Sequence, residues 1–266
     1  MGFKFVQFSH QNHVAHLVLS RPDVRNAFNS EMISEIDEIF RIQLPLLSDL
    51  RAVVLSGAGA SFSAGGDLEW MKSMASFTIE QNHSDARSLF SMFAAMKTCE
   101  VPLVGYVHGH AMGGGVGLAA VCDIVACEKA TEFALSEVRL GIAPAVIAPF
   151  VLEKMSLSSA RRFMLTGDKF SASEALSAGL VNFIGTKADC DAYIESILKS
   201  LFDSGPLAVR AVKKHLNFCL YEKDLEKLEA ECTSLIARLR TSPEGQEGLQ
   251  AFLNKSKASF KLGPGK

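Results

Sequence analysis

Two glycine-rich segments, each placed between an apolar strand and a helix, have the residue types best suited to chemistry in this sequence. The first, SFSAGGDL at residues 61–68, follows the apolar run 52–55, and the second has three glycines at 113–115 after a strand predicted at 102–107. Where a strand breaks into glycines and restarts as a helix, backbone N–H groups lack an intrahelical acceptor and lie at the positive end of the helix. Two such loops could each direct one N–H at the same oxygen, as in an oxyanion hole.

The glycines also have a simpler explanation, because small residues let a helix pack tightly against a sheet. Phosphate sites of two common kinds are excluded by the spacing. The sequence has no G-K-[ST] for a P-loop, and no G-x-G-x-x-G fits the glycine run at 113–115.

The composition indicates a soluble, cytoplasmic protein. The chain has 266 residues, 48% hydrophobic content and a net charge of −2 without a basic block, so we expect no nucleic-acid partner. No apolar run approaches the ~20 residues of a membrane helix. The six cysteines form no C-x-x-C and are predicted to be mostly buried, reduced thiols, and the histidines form no H-E-x-x-H, so no metal site is expected.

The elements that must position the glycine loops follow a strand, strand, helix order. Alternation predicts strands at 3–8 and 14–19 with a turn at HQN, and helical periodicity predicts helices at 31–44 and 80–96. This order suggests a spiral of ββα units rather than a doubly wound sheet. The helix predicted at 80–96 has an apolar stripe that is expected to belong to the core. The stripe consists of Leu89, Phe90, Phe93 and Met96.

The C-terminal part of the chain is predicted to be helical. Ser158 or Ser159 is predicted to cap a helix that stops at Gly167, and residues 171–174 form a capping box. Three helices are predicted at 187–203, 206–220 and 223–240. Gly205-Pro206 is the expected boundary between a core at 1–204 and an oligomerisation region at 205–266.

Six motifs, in this order along nearly the whole chain, resemble the crotonase superfamily of enoyl-CoA hydratases and isomerases. The resemblance implies an α/β fold with a crotonase-like spiral of ββα units and a C-terminal α-helical trimerisation region, in homotrimers or hexamers built as dimers of trimers. The substrate would be an acyl-CoA, and CoA is then part of the substrate rather than a cofactor. The motifs are RPDVRNAF (21–28), FSAGGDL (62–68), HGHAMGGGVGLAAVCD (108–123), FALSEVRLGIAP (133–144), LTGDKFSASEALSAGLV (165–181) and AFLNKSK (251–257).

The resemblance also implies roles for individual residues. Glu137, which would otherwise be read as a solvated carboxylate, matches the family's catalytic acid/base, and the N–H groups of Gly66 and Gly114 match its oxyanion donors. Several residues are placed near CoA, largely through their backbone, and only Arg25 has a charge suited to phosphates. Lys255 would reach the CoA of an adjacent subunit. The CoA-binding set is Arg25, Ala64, Asp67, Leu68, Trp70 and Lys255.

One departure from the family pattern bears on the reaction. Hydratases of the family usually carry a first glutamate three residues beyond the oxyanion glycine, and here that position is Gly117. A single carboxylate could still add water to a 2-enoyl-CoA, or could move a proton between C2 and C4 as a Δ3-Δ2-enoyl-CoA isomerase does. A catalytically silent CoA-binding protein is the third alternative.

The finer resemblance favours hydration of a branched acyl-CoA. Segments 65–71, 113–124 and 136–151 are similar to bacterial methylglutaconyl-CoA hydratases of leucine breakdown. In the last of these, GIAPAVIAPF replaces the GIxPGxGG of ordinary short-chain hydratases. A glutaconyl carboxylate would need a cation or donor, for which the candidates are Lys72, His83 and Arg139.

Overall fold

The computed structural model describes residues 2–262, which form two compact units. The first unit comprises residues 2–99 and 103–194, and the second comprises residues 100–102 and 195–262. The division falls inside a helix, whereas the sequence placed a domain boundary at Gly205; that boundary stays a prediction. Within residues 2–262, no helix has the length and apolar character needed to cross a membrane.

The first unit is built on nine strands in two sheets. The six-stranded sheet has the order β1-β2-β3-β4-β6-β9 and the three-stranded sheet has the order β5-β7-β8. The pairs β1-β2 and β7-β8 are antiparallel, and the other pairs are parallel. The strands are β1 (Val6–Gln11), β2 (Val14–Leu19), β3 (Ala52–Gly57), β4 (Leu103–Val107), β5 (His110–Met112), β6 (Ile124–Glu128), β7 (Glu132–Ala134), β8 (Lys169–Ser171) and β9 (Phe183–Gly185).

The middle strands of the larger sheet are apolar on both faces. Val53 and Leu55 in β3 and Leu103 and Val104 in β4 are fully buried. Parallel strands covered on both faces have this composition, and helices supply the cover. The sheet therefore gives a rigid edge from which the loops after β3 and β4 extend.

Seven helices lie entirely in the first unit and an eighth spans the division. They are α1 (Ser30–Glu38), α2 (Leu68–Met74), α3 (Ile79–Lys97), α4 (Gly114–Val121), α5 (Ala148–Lys154), α6 (Leu157–Thr166), α7 (Ala172–Ala178) and α8 (Lys187–Phe202). The helix predicted at 31–44 is α-helical only to Glu38. The chain then widens into a π-helical segment, Ile39–Gln43, and tightens into a 3-10 turn that contains Pro45.

The local sequence patterns predicted some ends of strands and helices correctly and others wrongly. The first strand runs to Gln11 rather than ending at Phe8, because Asn12 and His13 adopt positive φ (49° and 66°) and make the tight hairpin turn. The predicted caps Ser158 and Ser159 are wrong: the Ser156 hydroxyl accepts a hydrogen bond (3.3 Å) from the N–H of Ser159. The predicted stop at Gly167 and capping box at 171–174 are confirmed.

The second unit is helical, with α9 (Pro206–Tyr221), α10 (Leu225–Thr241) and α11 (Pro243–Leu253) following the end of α8. The sequence did not predict α11, which begins at the Ser242 cap and Pro243. No residue of α10 is buried, and Leu225 is 79% exposed. The trimer expected from this apolar face stays a prediction.

The burial of the cysteines differs in part from the prediction. Cys122, Cys127 and Cys190 are buried as predicted, but Cys219 and Cys232 are exposed on the helices of the second unit. None of the six forms a disulfide bond within residues 2–262.

Candidate active site

A short parallel bridge holds the first glycine loop against β5. The Ser63 N–H donates to the His110 carbonyl (3.0 Å), and the Met112 N–H donates to the Ser63 carbonyl (3.0 Å). Gly65 is required here, because its φ is +84° and a Cβ at this position would lie 2.5 Å from the Met112 carbonyl oxygen. The same Cβ would be 3.5 Å from the Gly114 nitrogen, so the two predicted glycine loops are neighbours.

Phe28 fixes both loops at once. Its N–H donates to the Gly65 carbonyl (2.8 Å), and its carbonyl accepts from the Asp67 N–H (3.0 Å). Its ring lies on the second loop, because a Cβ at Gly114 would be only 2.3 Å from the ring carbon Cζ. Sequence reasoning missed this role, since a phenylalanine in an apolar context has the appearance of ordinary core.

The N–H groups of Gly66 and Gly114 are available to a ligand. Neither donates a hydrogen bond to another described residue, whereas the neighbouring Gly113 N–H donates to the Ala134 carbonyl (2.8 Å). Gly114 is the first residue of α4, so its N–H lies at the positive end of that helix. Unpaired donors on two adjacent loops are the arrangement that an oxyanion hole requires.

Glu137 lies beside the second loop. It belongs to a 3-10 turn, Ser136–Leu140, that follows β7, and a Cβ at Gly113 would be 2.9 Å from its Oε1. Oε2 is buried and has no hydrogen-bond partner in the described chain. Burial raises the pKa of Glu137 above the usual glutamate value, against a weaker opposing hydrogen bond from its own N–H. A carboxyl group whose pKa is raised gains a proton more readily than an ordinary glutamate, which suits it to general acid–base catalysis.

Position 117, where hydratases of the family usually carry their first glutamate, has no room for a side chain. A Cβ at Gly117 would lie 2.6 Å from Cγ2 of Ile147 and 3.0 Å from Cζ of Phe93, both fully or almost fully buried. Ile147 belongs to the segment GIAPAVIAPF, which departs from the usual glycine-rich pattern. The isoleucine side chain therefore fills the space beside Gly117 with apolar atoms.

A cleft of about 900 Å³ adjoins the first loop. Exposed Arg25 lies on its rim and is joined to the loop through its carbonyl, which accepts from the Ala64 N–H (2.8 Å). Five predicted CoA-binding residues and one predicted oxyanion glycine line this cleft: Arg25, Ala64, Gly66, Asp67, Leu68 and Trp70.

Asp67 is held within the protein by its own partners. Its carboxylate caps α2 by accepting from the N–H groups of Glu69 (2.8 Å) and Trp70 (3.3 Å), and it pairs with Arg21 (2.7 Å). Burial alone would raise its pKa, but the hydrogen bond from Arg21, the two N–H groups and the Arg21 charge lower it. Asp67 therefore shapes the cleft wall as an anion.

Trp70 is fixed between the first glycine loop and α3. Its Nε1 donates to Oδ1 of Asp85 (3.1 Å), and a Cβ at Gly66 would be 3.7 Å from its ring. Burial raises the pKa of Asp85, and this hydrogen bond opposes the rise. Asp85 was not singled out from the sequence, because a polar residue in the first turns of an exposed helix carries no distinguishing pattern.

The surroundings of the remaining predicted residues say less about their function. Exposed Lys72 pairs with Glu69 (2.5 Å), and exposed Arg139 pairs with Asp168 (2.6 Å). His83 is exposed on α3. Lys255 belongs to the second unit, where it follows α11 with φ 53° and lines a cavity of about 310 Å³.

Comparison with known proteins identifies the family. The sequence profile described as enoyl-CoA hydratase/isomerase matches residues 9–263. The chain belongs to this family. The structure of an enoyl-CoA hydratase from Shewanella pealeana is 34% identical, with a TM-score of 0.92 over 97% of this chain and 96% of that chain. Pseudomonas aeruginosa AtuE is 32% identical, with a TM-score of 0.93 over 97% and 100%.

The relatives include more than one reaction type. The mitochondrial Delta(3,5)-Delta(2,4)-dienoyl-CoA isomerase of Mus musculus is 33% identical over 88% of this chain and 74% of its own length. The crotonase fold and the enoyl-CoA hydratase/isomerase family are thus confirmed. Family membership does not choose between adding water and moving a double bond.

Proposed function

We propose that this protein hydrates a 2-enoyl-CoA with Glu137 as its single catalytic carboxylate. The observation that carries the proposal is the buried, unpartnered Glu137 oxygen beside the turn that presents the Gly114 N–H. The thioester oxygen of the substrate would accept from the N–H groups of Gly66 and Gly114. Both bonds strengthen as that oxygen becomes an enolate, so they favour the transition state over the bound substrate.

One carboxylate is enough for both proton transfers. The ionised Glu137 takes a proton from water as the water oxygen bonds to C3, and the C2=C3 electrons move into the thioester enolate. Glu137 then returns its proton to C2 on the same face, which regenerates the carboxylate. The raised pKa of Glu137 supports this double role, because the group must gain and lose a proton at similar cost.

We extend the proposal to a branched substrate such as 3-methylglutaconyl-CoA. Its support is the resemblance of segments 65–71, 113–124 and 136–151, together with the pairing of Gly117 with Ile147. In the usual pattern a glutamate and a glycine occupy these two positions, whereas here a glycine and an isoleucine do. The reacting end of the site therefore has a different shape from that of a short-chain hydratase.

The second candidate is a Δ3-Δ2-enoyl-CoA isomerase. The apolar side chains packed around Gly117 favour it. Ile147 and Phe93 offer no polar atom to hold a water molecule on that side. Glu137 would take a proton from C2 of a 3-enoyl-CoA and return it to C4 through the same enolate. A non-catalytic CoA-binding protein is disfavoured by the unpaired donors and the buried carboxyl.

Mass spectrometry in heavy-oxygen water separates these functions. Purified protein would be offered 3-methylglutaconyl-CoA, crotonyl-CoA and a 3-enoyl-CoA in parallel, with Glu137→Gln as the matched control. Labelled oxygen in the product of the first substrate, absent from the control, is the expected result. A shifted double bond without label would replace the proposal with the isomerase, and no reaction on any substrate would remove its support.

A further inference from the structure

A cluster of three metal-binding side chains lies in the second unit, on α9 and α10. Nε2 of His215 is 3.4 Å from Sγ of Cys219 and 3.6 Å from Sγ of Cys232. The three ligand atoms lie within 4.8 Å of one another, and no other group of three such residues is found within residues 2–262. His215 and Cys219 are four residues apart on α9, so they share one helix face.

The spacing of these atoms fits a tetrahedral metal ion. Zinc lies about 2.3 Å from a thiolate sulfur and about 2.05 Å from an imidazole nitrogen, which spaces a nitrogen and a sulfur ligand about 3.5 Å apart. The observed separations, 3.4 and 3.6 Å, bracket that value. Both nitrogen–sulfur separations therefore suit a shared tetrahedral ion.

The ligand types and their surroundings agree with this geometry. Thiolate and imidazole ligands select zinc over calcium or magnesium, which prefer oxygen. Nδ1 of His215 is buried without a hydrogen-bond partner in the described chain, so Nε2, which faces both sulfurs, is the nitrogen placed to bind. Cys219 and Cys232 are both exposed in the single chain.

We propose that His215, Cys219 and Cys232 form a zinc site that ties α9 to α10, with its fourth position open to solvent or a ligand. The sequence patterns predicted no metal site, because these ligands match no short motif: His215 and Cys219 come from one helix and Cys232 from the next. Binding requires both thiols to lose their protons, so apparent affinity rises with pH. The site is separate from the acyl-CoA chemistry proposed for Glu137.

The test is metal binding by the reduced full-length protein. Cobalt(II) is the probe for thiolate coordination, and zinc affinity is measured by competition with a chelating dye. The expected result is one equivalent of either ion per chain, with a sulfur-to-cobalt charge-transfer band. Changing a partner of a metal ligand typically costs 10–100-fold in affinity, so removing a ligand should cost at least about 100-fold.

The matched variants make the assignment residue-specific. Cys219→Ser, Cys232→Ser and His215→Gln should each lower zinc affinity by that factor, whereas Cys99→Ser, at a half-buried cysteine in the first unit, should not. Circular dichroism would establish that each variant is folded. Absence of binding by the unmodified protein, or zinc affinity in the Cys219→Ser and Cys232→Ser variants equal to that of the unmodified protein, would overturn the proposal. So would a Cys219–Cys232 disulfide in protein kept with reductant and zinc.

Discussion

The packing of Ile147 against Gly117 predicts how Gly117→Ala changes the free energy of unfolding. The substitution should be destabilising when Ile147 is present and should lose this effect when Ile147 is replaced by alanine. Gly117→Ala places a methyl carbon 2.6 Å from Cγ2 of Ile147 and 3.0 Å from Cζ of Phe93, although carbon atoms in contact are normally about 3.5–4.0 Å apart. Overpacking of this kind costs about 1–3 kcal/mol. Alanine gains about 0.5–1 kcal/mol over glycine within a helix. The net expectation is destabilisation by about 0–2.5 kcal/mol.

Ile147→Ala removes the clashing Cγ2 and should by itself cost about 2–5 kcal/mol, because it leaves a cavity in the core. In this background the closest contact of the Gly117→Ala methyl is gone, so the helix gain remains, reduced by the contacts with Cζ of Phe93 (3.0 Å) and with the retained Cβ of residue 147 (3.1 Å). Gly117→Ala should therefore be neutral or slightly stabilising there. The coupling free energy between the two sites should be about 1–3 kcal/mol.

Urea unfolding followed by tryptophan fluorescence measures this coupling. The chain has one tryptophan, Trp70, and it lies in the same unit as Gly117 and Ile147, so the signal reports the relevant core. Equal destabilisation by Gly117→Ala with and without Ile147→Ala, within about 0.5 kcal/mol, is additive behaviour. That result would refute the claim that Ile147 fills the space beside Gly117.

Three further predictions follow from the charged groups of the first unit. Burial raises the pKa of Glu137, so its contribution to stability is complete below the unfolded value of about 4.3 and is lost as pH rises through the folded value. Glu137→Gln should therefore gain melting temperature relative to the unmodified protein as pH rises through that window, and a constant difference would contradict this. Burial would raise the pKa of Asp67, but Arg21 and two N–H groups lower it, so its contribution is present above about pH 3.9 and is lost as pH falls. Asp67→Asn should cost about 3 kcal/mol in urea unfolding at neutral pH and less in acid, since it leaves Arg21 unpaired, and a loss independent of pH would count against the ion pair. Arg25→Ala should raise KM for an acyl-CoA about tenfold with little change in kcat and less effect at high salt, whereas Arg41→Ala, an exposed arginine paired elsewhere, should not; equal KM values would remove Arg25 from the CoA site.

The sequence predicts local features of the site well, because their signals lie within a few residues. A strand that ends in glycines before a helix predicts unpaired N–H groups, and those of Gly66 and Gly114 are unpaired in the described chain. Motif order predicts the family, and the family profile confirms it. The catalytic role of Glu137 stays a prediction, although its burial and raised pKa agree with it.

Contacts between distant segments could not be predicted from the sequence. Gly117 is recognisable as a departure, but only the fold places Ile147 and Phe93 against it. Phe28 likewise joins two loops that are far apart in sequence. Hydrophobic periodicity identifies one amphipathic helix or strand at a time, so it carries no information about contacts between distant segments.

Some elements were missed because their sequences resemble loops or continue a neighbouring pattern. The short helix α5, which begins at Ala148-Pro149, was not predicted from the sequence. The apolar period of the first helix continues past Glu38, although the backbone changes to a wider turn at Ile39–Gln43. Hydrophobic spacing determines which face is buried more reliably than it determines the hydrogen-bond pattern.

Proton exchange at the acyl chain tests the role of Glu137 as the single catalytic carboxylate, because hydration and isomerisation by one carboxylate share the same enolate. An acyl-CoA substrate would be incubated in deuterium oxide with the unmodified protein or with Glu137→Gln, and deuterium at C2 and C4 would be followed by mass spectrometry. This role predicts exchange with the unmodified protein and a loss of about 10²–10⁴-fold in Glu137→Gln, with acyl-CoA affinity retained. Exchange that persists at the unmodified rate in Glu137→Gln would contradict it.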